Sequence, residues 1–207
     1  MIYDGPFSDS VTNVEIKGLF GENVDSMQAE KNLREIYAGK NLENFKYLGQ
    51  TNGKFKTHDF SFYLDGTNQF AQITEVGGRL LTVSGGVAAK SSNISFENAQ
   101  KIAVDFCKKT GIEDVEVVWS DEKESEAYFN IAPVQNGIIL YPDLIKIKVD
   151  KSTGNIAGFE ACAYFTNHTN RSLASAKISG NKAKNTIENG YNIQTTNLCL
   201  VPLDYNR

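Results

Sequence analysis

Ser95-Phe96-Glu97-Asn98-Ala99-Gln100-Lys101-Ile102-Ala103-Val104-Asp105-Phe106-Cys107 is the stretch on which the fold turns. Ala99, Ile102, Ala103 and Phe106 recur at i, i+3, i+4 and i+7, which lines them along one face of a helix. Ser95 offers an N-capping hydroxyl, and Gly111 offers a C-terminal stop. The same phrase occurs earlier. Asp25 or Ser26 opens a helix running to Tyr37, with Ala29, Leu33, Ile36 and Tyr37 on its inward face. A weaker version opens at Ser179, with Ala183 and Ile187 inward and Gly190 closing it. In all three, a capping side chain (Asp25, Ser95, Ser179) stands four residues before a small Ala, which lets the helix lie close to a sheet. One unit is written three times.

Each helix is followed by strands. After the first, apolar segments at 45–50, 59–64 and 70–75 lead to a Gly77-Gly78 turn and a segment at 80–84. After the second come segments at 115–119, 127–134 and 144–149, a Ser152-Thr153-Gly154 turn, and a segment at 156–165. Ile145-Lys146-Ile147-Lys148-Val149 alternates apolar and basic residues, the mark of a half-buried antiparallel strand. Gly78 and Gly154 stand where hairpin turns demand positive φ. The expected fold is therefore α+β, tandem units that each pack one helix on an antiparallel β-sheet. Residues 1–87 hold an N-terminal arm and the first unit, 88–170 the second, and 171–207 part of a third. That third unit has length for one strand after its helix, as in a chain trimmed at its C-terminus. Polar linkers at 88–93 and 166–175 separate the units.

Composition excludes several functions. The chain has 207 residues, with 21 Lys plus Arg against 25 Asp plus Glu, for a net charge of −4. A chain of this size buries roughly 70% of its unfolded surface, so it needs no metal or disulfide staple. The acidic balance argues against nucleic acid, whose binders show a basic stripe. The longest unbroken apolar run is 161–165, whereas a membrane helix needs about 20 residues. Met1-Ile2-Tyr3-Asp4-Gly5-Pro6 has neither the basic start nor the apolar core of a signal peptide. Two His and three Cys leave little material for metal or nucleophile chemistry.

Candidate chemistry meets a plainer reading at every position. Cys107 lies in the helical pattern, and Cys162 and Cys199 in strand-like segments; without a CxxC spacing they read as buried thiols rather than a disulfide framework. His58 stands beside Asp59 at a strand start and His168 in the 166–172 linker, so both read as surface residues rather than partners of a Cys nucleophile. No short spacing supplies a zinc site. There is no Gly-x-Ser-x-Gly elbow, and neither Gly39-Lys40 nor Gly53-Lys54 continues into the Ser or Thr of a phosphate-binding loop. Glu122, Glu124 and Glu126 alternate as paired catalytic acids can, yet they sit in a hairpin tip that reads as a solvated turn. Asp150-Lys151-Ser152-Thr153-Gly154-Asn155 fails the calcium-loop pattern, since Asn155 stands where that loop needs Gly; a hairpin turn is the better reading. The expectation is no enzyme, no cofactor and no metal.

The capped Ser-x-x-x-Ala helix, strand, hairpin and Asp150-x-x-Thr153-Gly154 turn resemble the PepSY domain. Ile2-Tyr3-Asp4-Gly5-Pro6-Phe7-Ser8-Asp9, Thr82-Val83-Ser84-Gly85-Gly86 and Tyr141-Pro142-Asp143 resemble the soluble C-terminal part of the YpeB family of spore germination proteins. The resemblance spans nearly the whole chain. It implies a non-catalytic regulator that binds, stabilises or restrains a cortex-lytic peptidoglycan hydrolase of the SleB type. It also implies a place at the outer face of the spore's inner membrane or in the cortex. The full-length family members carry an N-terminal membrane anchor that this chain lacks, so membrane insertion by this chain is not expected. The wider PepSY association with protease propeptides implies the alternative, a protease inhibitor or folding chaperone. Two stretches read as partner-facing. Tyr3, Asp4, Pro6 and Phe7 lie outside any repeat and offer aromatic anchors, although an arm that seals a sheet edge is the plainer role. Tyr141 and Pro142 follow Ile138-Ile139-Leu140, where a core strand ended by a Pro-bearing turn is the plainer reading.

Overall fold

The computed structural model describes residues 15–89, 91–187, 193 and 195–202. The first repeat forms helix α1 (Ser26–Ile36), then strands β1 (Glu43–Asn52), β2 (Lys56–Leu64), β3 (Thr67–Thr74) and β4 (Leu80–Gly85). The second forms α2 (Phe96–Lys109), β5 (Val115–Lys123), β6 (Glu126–Gln135), β7 (Ile138–Leu140), β8 (Ile145–Asp150) and β9 (Ile156–Glu160). Asp25 caps α1 by accepting from the Gln28 N–H, and Ser95 caps α2 by accepting from the Asn98 N–H. Ala29 and Leu33 of α1 and Ala99, Ala103 and Phe106 of α2 are buried, as their spacing predicts. Ile36 and Ile102 are half-buried.

The two repeats build one sheet. Its order is β1-β2-β3-β4-β9-β8-β6-β7, with β5 also running along β6. The first unit enters in chain order, and the second joins by its last strand, β9, followed by β8 and then β6. They meet where the last strand of each pairs antiparallel, Thr82 with Glu160, Val83 with Phe159 and Ser84 with Gly158. Both long helices cover the same face. Tyr37 at the end of α1 touches Phe62 of β2 (ring centroids 5.2 Å) and Phe106 of α2 (6.0 Å), and Phe106 touches Phe159 of β9 (5.4 Å). A single apolar core results. Its central row runs Phe60, Ala71, Val83, Phe159, Ile147, Phe129 across six strands, every member buried. The Tyr37 hydroxyl has no hydrogen-bond partner, and burial raises its pKa well above the usual phenol range.

Equivalent turns close the third hairpin of each unit. Gly78 (φ +59°) lies four residues past Thr74, and Gly154 (φ +76°) four past Asp150. Each is gripped by the helix residue seven past its N-cap. A Cβ on Gly78 would sit 2.4 Å from Asn32 Nδ2, and one on Gly154 would sit 3.4 Å from Ile102 Cδ1 and 2.7 Å from Ile94 Cδ1. Glycine is required there both for its conformation and for the close approach.

Three expectations need correction. The strand drawn over 156–165 stops at Glu160, and α3 (Cys162–Asn167) follows. A five-residue apolar run has no period to distinguish strand from helix, and the Glu160 carboxylate settles it by accepting from the Cys162 N–H (2.9 Å). Residues 17 and 18 then bond to the carbonyls of Thr166 and Phe165, which pins the N-terminal segment to α3. The third repeat is reduced to α4 (Gly180–Lys184), capped by Ser179 as expected but burying nothing, with Ile187 exposed. Gly190 lies outside the described residues. Its following strand is β10 (Cys199–Leu200), which pairs parallel to β7. Finally, the 88–93 linker is tied down, with Ala88 donating to Asp150 and Asn93 and Ile94 to the Lys151 carbonyl.

Candidate functional site

The face of the sheet opposite α1 and α2 carries two side-chain rows. Register places Asp59, Gln72, Thr82, Glu160, Lys146, Asn130 and Trp119 in one row. Ser61, Phe70, Ser84, Gly158, Lys148, Tyr128 and Asp121 form the next. Directly opposed residues of antiparallel strands point to the same face, so both rows lie on one surface.

On the first-unit half of that surface, one row is closed by its own hydrogen bonds. Asp59 accepts from Thr51 Oγ1 (2.6 Å), Thr57 Oγ1 (2.7 Å) and Gln72 Nε2 (3.2 Å), and Thr82 donates to Gln72 Oε1 (3.0 Å). The second-unit half is open. A shallow concavity of about 250 Å³ lies there, lined by Trp119, Tyr128, Asn130, Lys146, Lys148 and Glu160, and the Lys148 side chain crosses Gly158 toward the Gly85 carbonyl (3.4 Å). Lys146 pairs with Glu160 (3.3 Å) and Lys148 with Glu126 (3.3 Å). Tyr128 donates to Glu126, which pushes the phenol up to about 12 and, together with Lys148, holds the Glu126 carboxyl below its usual range. Trp119 stands 52% exposed at the rim.

Other polar clusters are structural. Asp150 is buried, which alone would raise its pKa. Hydrogen bonds from the Ala88 and Ser152 N–H groups and the Ser152 and Thr153 hydroxyls outweigh that and hold it low. With both oxygens occupied by these donors, the Asp150–Gly154 segment is a hairpin turn, as read from the sequence. Asp143 has no exposed side-chain surface; it accepts two bonds from the Arg171 guanidinium (2.6 and 2.7 Å) and one contact from His168 Nδ1 (2.8 Å). Gln135 adds a clamp on the Arg171 backbone. The 166–171 half of the second linker is thereby latched onto the second unit.

The titratable residues singled out from sequence are placed as follows. His58 is not a surface residue: it is 3% exposed, with Nε2 2.9 Å from the Val24 carbonyl and Nδ1 3.2 Å from the Tyr47 hydroxyl. Its even position in β2 turns it toward the core side with Phe60 and Phe62. His168 stacks on Tyr164 (4.5 Å) besides contacting Asp143. Cys107 is a core thiol pushed up to about 12 by burial; Cys162 is half-buried and pushed up to about 11 by burial and Glu160; Cys199, read from the sequence as buried, is exposed. Glu122 and Glu126 flank the expected hairpin tip, but they reach Lys151 and Lys148 instead of remaining simply solvated. Among the described residues, no group of His, Cys, Asp and Glu is arranged to hold a metal.

Of the partner-facing candidates, Tyr3, Asp4, Pro6 and Phe7 lie outside the described residues. Tyr141 and Pro142 form a half-buried 3-10 turn (Tyr141–Asp143) after β7, the Pro142 carbonyl accepting from Asn167 (2.8 Å). The sequence reading did not single out Trp119, Asn130 or Glu160. A signal existed in the basic face of Ile145–Val149, but which residues stand beside it is set by strand register, with Lys146 opposite Asn130 and Glu160.

Known proteins resemble this one over the same region. The family model described as YpeB sporulation, PepSY1 and PepSY2 domains, matches residues 1–174. The sporulation protein YpeB of Oceanobacillus iheyensis is 24% identical over 186 residues, 89% of this chain and 42% of that protein. That of Bacillus subtilis is 28% identical over 134 residues, 64% of this chain and 30% of its own length. The chain thus spans well under half of these relatives. The solved Bacillus megaterium YpeB C-terminal domain shares the fold, with a TM-score of 0.80 and 22% identity over 90% of this chain and 84% of that one.

Proposed function

The chain belongs to the YpeB family of sporulation proteins, as their PepSY1 and PepSY2 region, and from that premise we propose that it is a non-catalytic docking scaffold for a cortex-lytic peptidoglycan hydrolase of the SleB type. By family it is a sporulation protein, associated with the spore. Its site of action in this reading is the outer face of the inner membrane or the cortex. The observation that carries the reading is the family match over 174 residues. Supporting it, the buried carboxylates Asp59, Asp143 and Asp150 are each engaged in internal hydrogen bonds that hold strands, linker and turn. Their chemistry is that of a scaffold.

In this reading the arm residues Tyr3, Asp4, Pro6 and Phe7 contact the hydrolase, and Tyr141 and Pro142 extend that contact. Release follows proteolysis of exposed linker. The latched stretch ends at Arg171 and the backbone beyond it is more exposed, so the cut falls after that residue.

A pull-down with this chain from spore extract tests the reading. Recovery of a cortex-lytic hydrolase, identified by mass spectrometry and reproduced with the purified enzyme, is the expected result. Recovery of a protease in its place would move the function to the inhibitor or chaperone class. Tyr3→Ala combined with Phe7→Ala should abolish hydrolase binding at unchanged melting temperature; loss of stability would assign the arm to packing. Germinating spores that lyse cortex while keeping this protein intact would exclude release by proteolysis.

A further inference from the structure

Where the two repeats meet, two buried polar atoms lack protein partners at one place. The Tyr37 hydroxyl and Asn155 Oδ1 make no hydrogen bond among the described residues, and each residue is only 6% exposed. Both residues line one cleft of about 90 Å³ between the end of α1, the face of α2 and the β8–β9 turn. Ile36, Ile102 and Phe106 give it apolar walls, and the exposed Lys40 and Lys109 stand at its mouth. Tyr37 belongs to the first unit and Asn155 to the second, so the cleft spans the seam.

The repeat accounts for the space. Arg79 follows Gly78 and Asn155 follows Gly154, and each reaches the end of the other unit's helix. A Cβ on Gly111, just past α2, would come 3.2 Å from Arg79 Nη1, and the cleft that Arg79 lines there is about 50 Å³. At the end of α1 the equivalent residue is the shorter Asn155, whose amide nitrogen donates to Asp65 Oδ2 (2.8 Å). Its oxygen is left over, and the cleft is larger.

A buried polar atom without a partner bears its full desolvation cost, so the chemistry of these two atoms selects the occupant. Asn155 Oδ1 only accepts, whereas the Tyr37 hydroxyl donates as well as accepts. The occupant must therefore both donate and accept, in a space of about 90 Å³ that matches about three water molecules at about 30 Å³ each. Apolar cavities stay dry, but a polar one of this size is the setting in which buried water is held. We propose that this cleft holds ordered water bridging the Tyr37 hydroxyl to Asn155 Oδ1, which joins the first unit's helix to the second unit's turn. The inference stands apart from the hydrolase reading, since it involves neither the arm nor the 3-10 turn.

A crystal structure of the whole chain that shows ordered solvent tests this, together with the variant Tyr37→Phe. In the wild type, water should lie within about 3.2 Å of the Tyr37 hydroxyl and of Asn155 Oδ1, as one molecule or a short chain. Tyr37→Phe keeps the ring against Phe62 and Phe106 and removes only the hydroxyl. It should displace the water next to that atom and lower the melting temperature by a few degrees. A hydroxyl buried without water predicts the opposite sign, because its removal relieves an unpaired group and raises the melting temperature. A melting temperature that holds or rises in the variant would overturn the proposal. So would a wild-type cleft without ordered water, or a Tyr37 hydroxyl bonded to a protein atom.

Discussion

The two halves of the sheet's helix-free face were built from one repeated unit and have come to differ. In the first unit, Thr51, Thr57, Asp59, Gln72 and Thr82 are joined in one hydrogen-bond network that closes one row of that half of the face. In the second, ion pairs and an exposed indole surround a shallow concavity, with the Lys148 side chain lying across Gly158. The helix-covered face shows no such divergence: capped helices with inward Ala, and a common row of buried side chains, serve both units. Packing constrains a residue through every neighbour it touches, so the helix-covered face keeps the repeat more closely than the open face does.

The largest test of this comparison removes the seam between the halves. Phe159 lies in β9, pairs with Val83 across the junction and touches Phe106. Phe159→Ala should cost about 4 kcal/mol in urea unfolding, the usual loss for a buried aromatic ring. Both halves should lose stability together. A cost confined to the second unit would mean that the sheet is continuous in shape but not in energy.

The matched turns give a smaller and more selective test. Asp150→Asn keeps the size but turns an amide NH2 toward either the Ala88 or the Ser152 backbone N–H, which can only donate, and should cost about 2 kcal/mol at neutral pH. Because the folded carboxyl titrates below its unfolded value near about 3.9, its stabilisation is present above that pH and disappears as the pH falls through the lower folded value. The variant should therefore show a flatter acid limb than the wild type in stability measured from pH 7 to pH 2. An unchanged acid limb would remove Asp150 from the account. In the first unit the corresponding turn is held by Asn32 Nδ2 donating to the Gly78 carbonyl (2.9 Å). Asn32→Ala should cost about 1 kcal/mol and leave the acid limb as it is. Smallest of all, Trp119→Ala should change stability by no more than about 0.5 kcal/mol, as surface substitutions do; a larger loss would make the indole a packing residue.

How much of this was legible follows from where the information sits. The two long helices and the strands around Gly78 and Gly154 were read from local signals, the caps Asp25 and Ser95 and the alternation at Ile145–Val149. The joining of β4 to β9 was not, because partners 78 residues apart, such as Thr82 and Glu160, leave no local trace. The open-face row that ends at Trp119 stayed hidden for another reason: the registers that set Trp119 beside Asn130 and Lys146 beside Glu160 are fixed by strand pairing and a bulge, not by local pattern. Asp143, Gln135 and Arg171 carry no local signal; their role depends on contacts across 28 and 36 positions. His58 was misjudged for its polar neighbours, though its parity with Phe60 and Phe62 in β2 pointed inward.

That two tandem units act as one body is the central claim, and native-state hydrogen exchange in rising urea tests it most directly. Amides of β2 and β3 in the first unit and of β6 and β8 in the second should merge into one opening with a common free energy and urea dependence. Separate openings for the two sets, with one unit exchanging fully while the other stays protected, would contradict it.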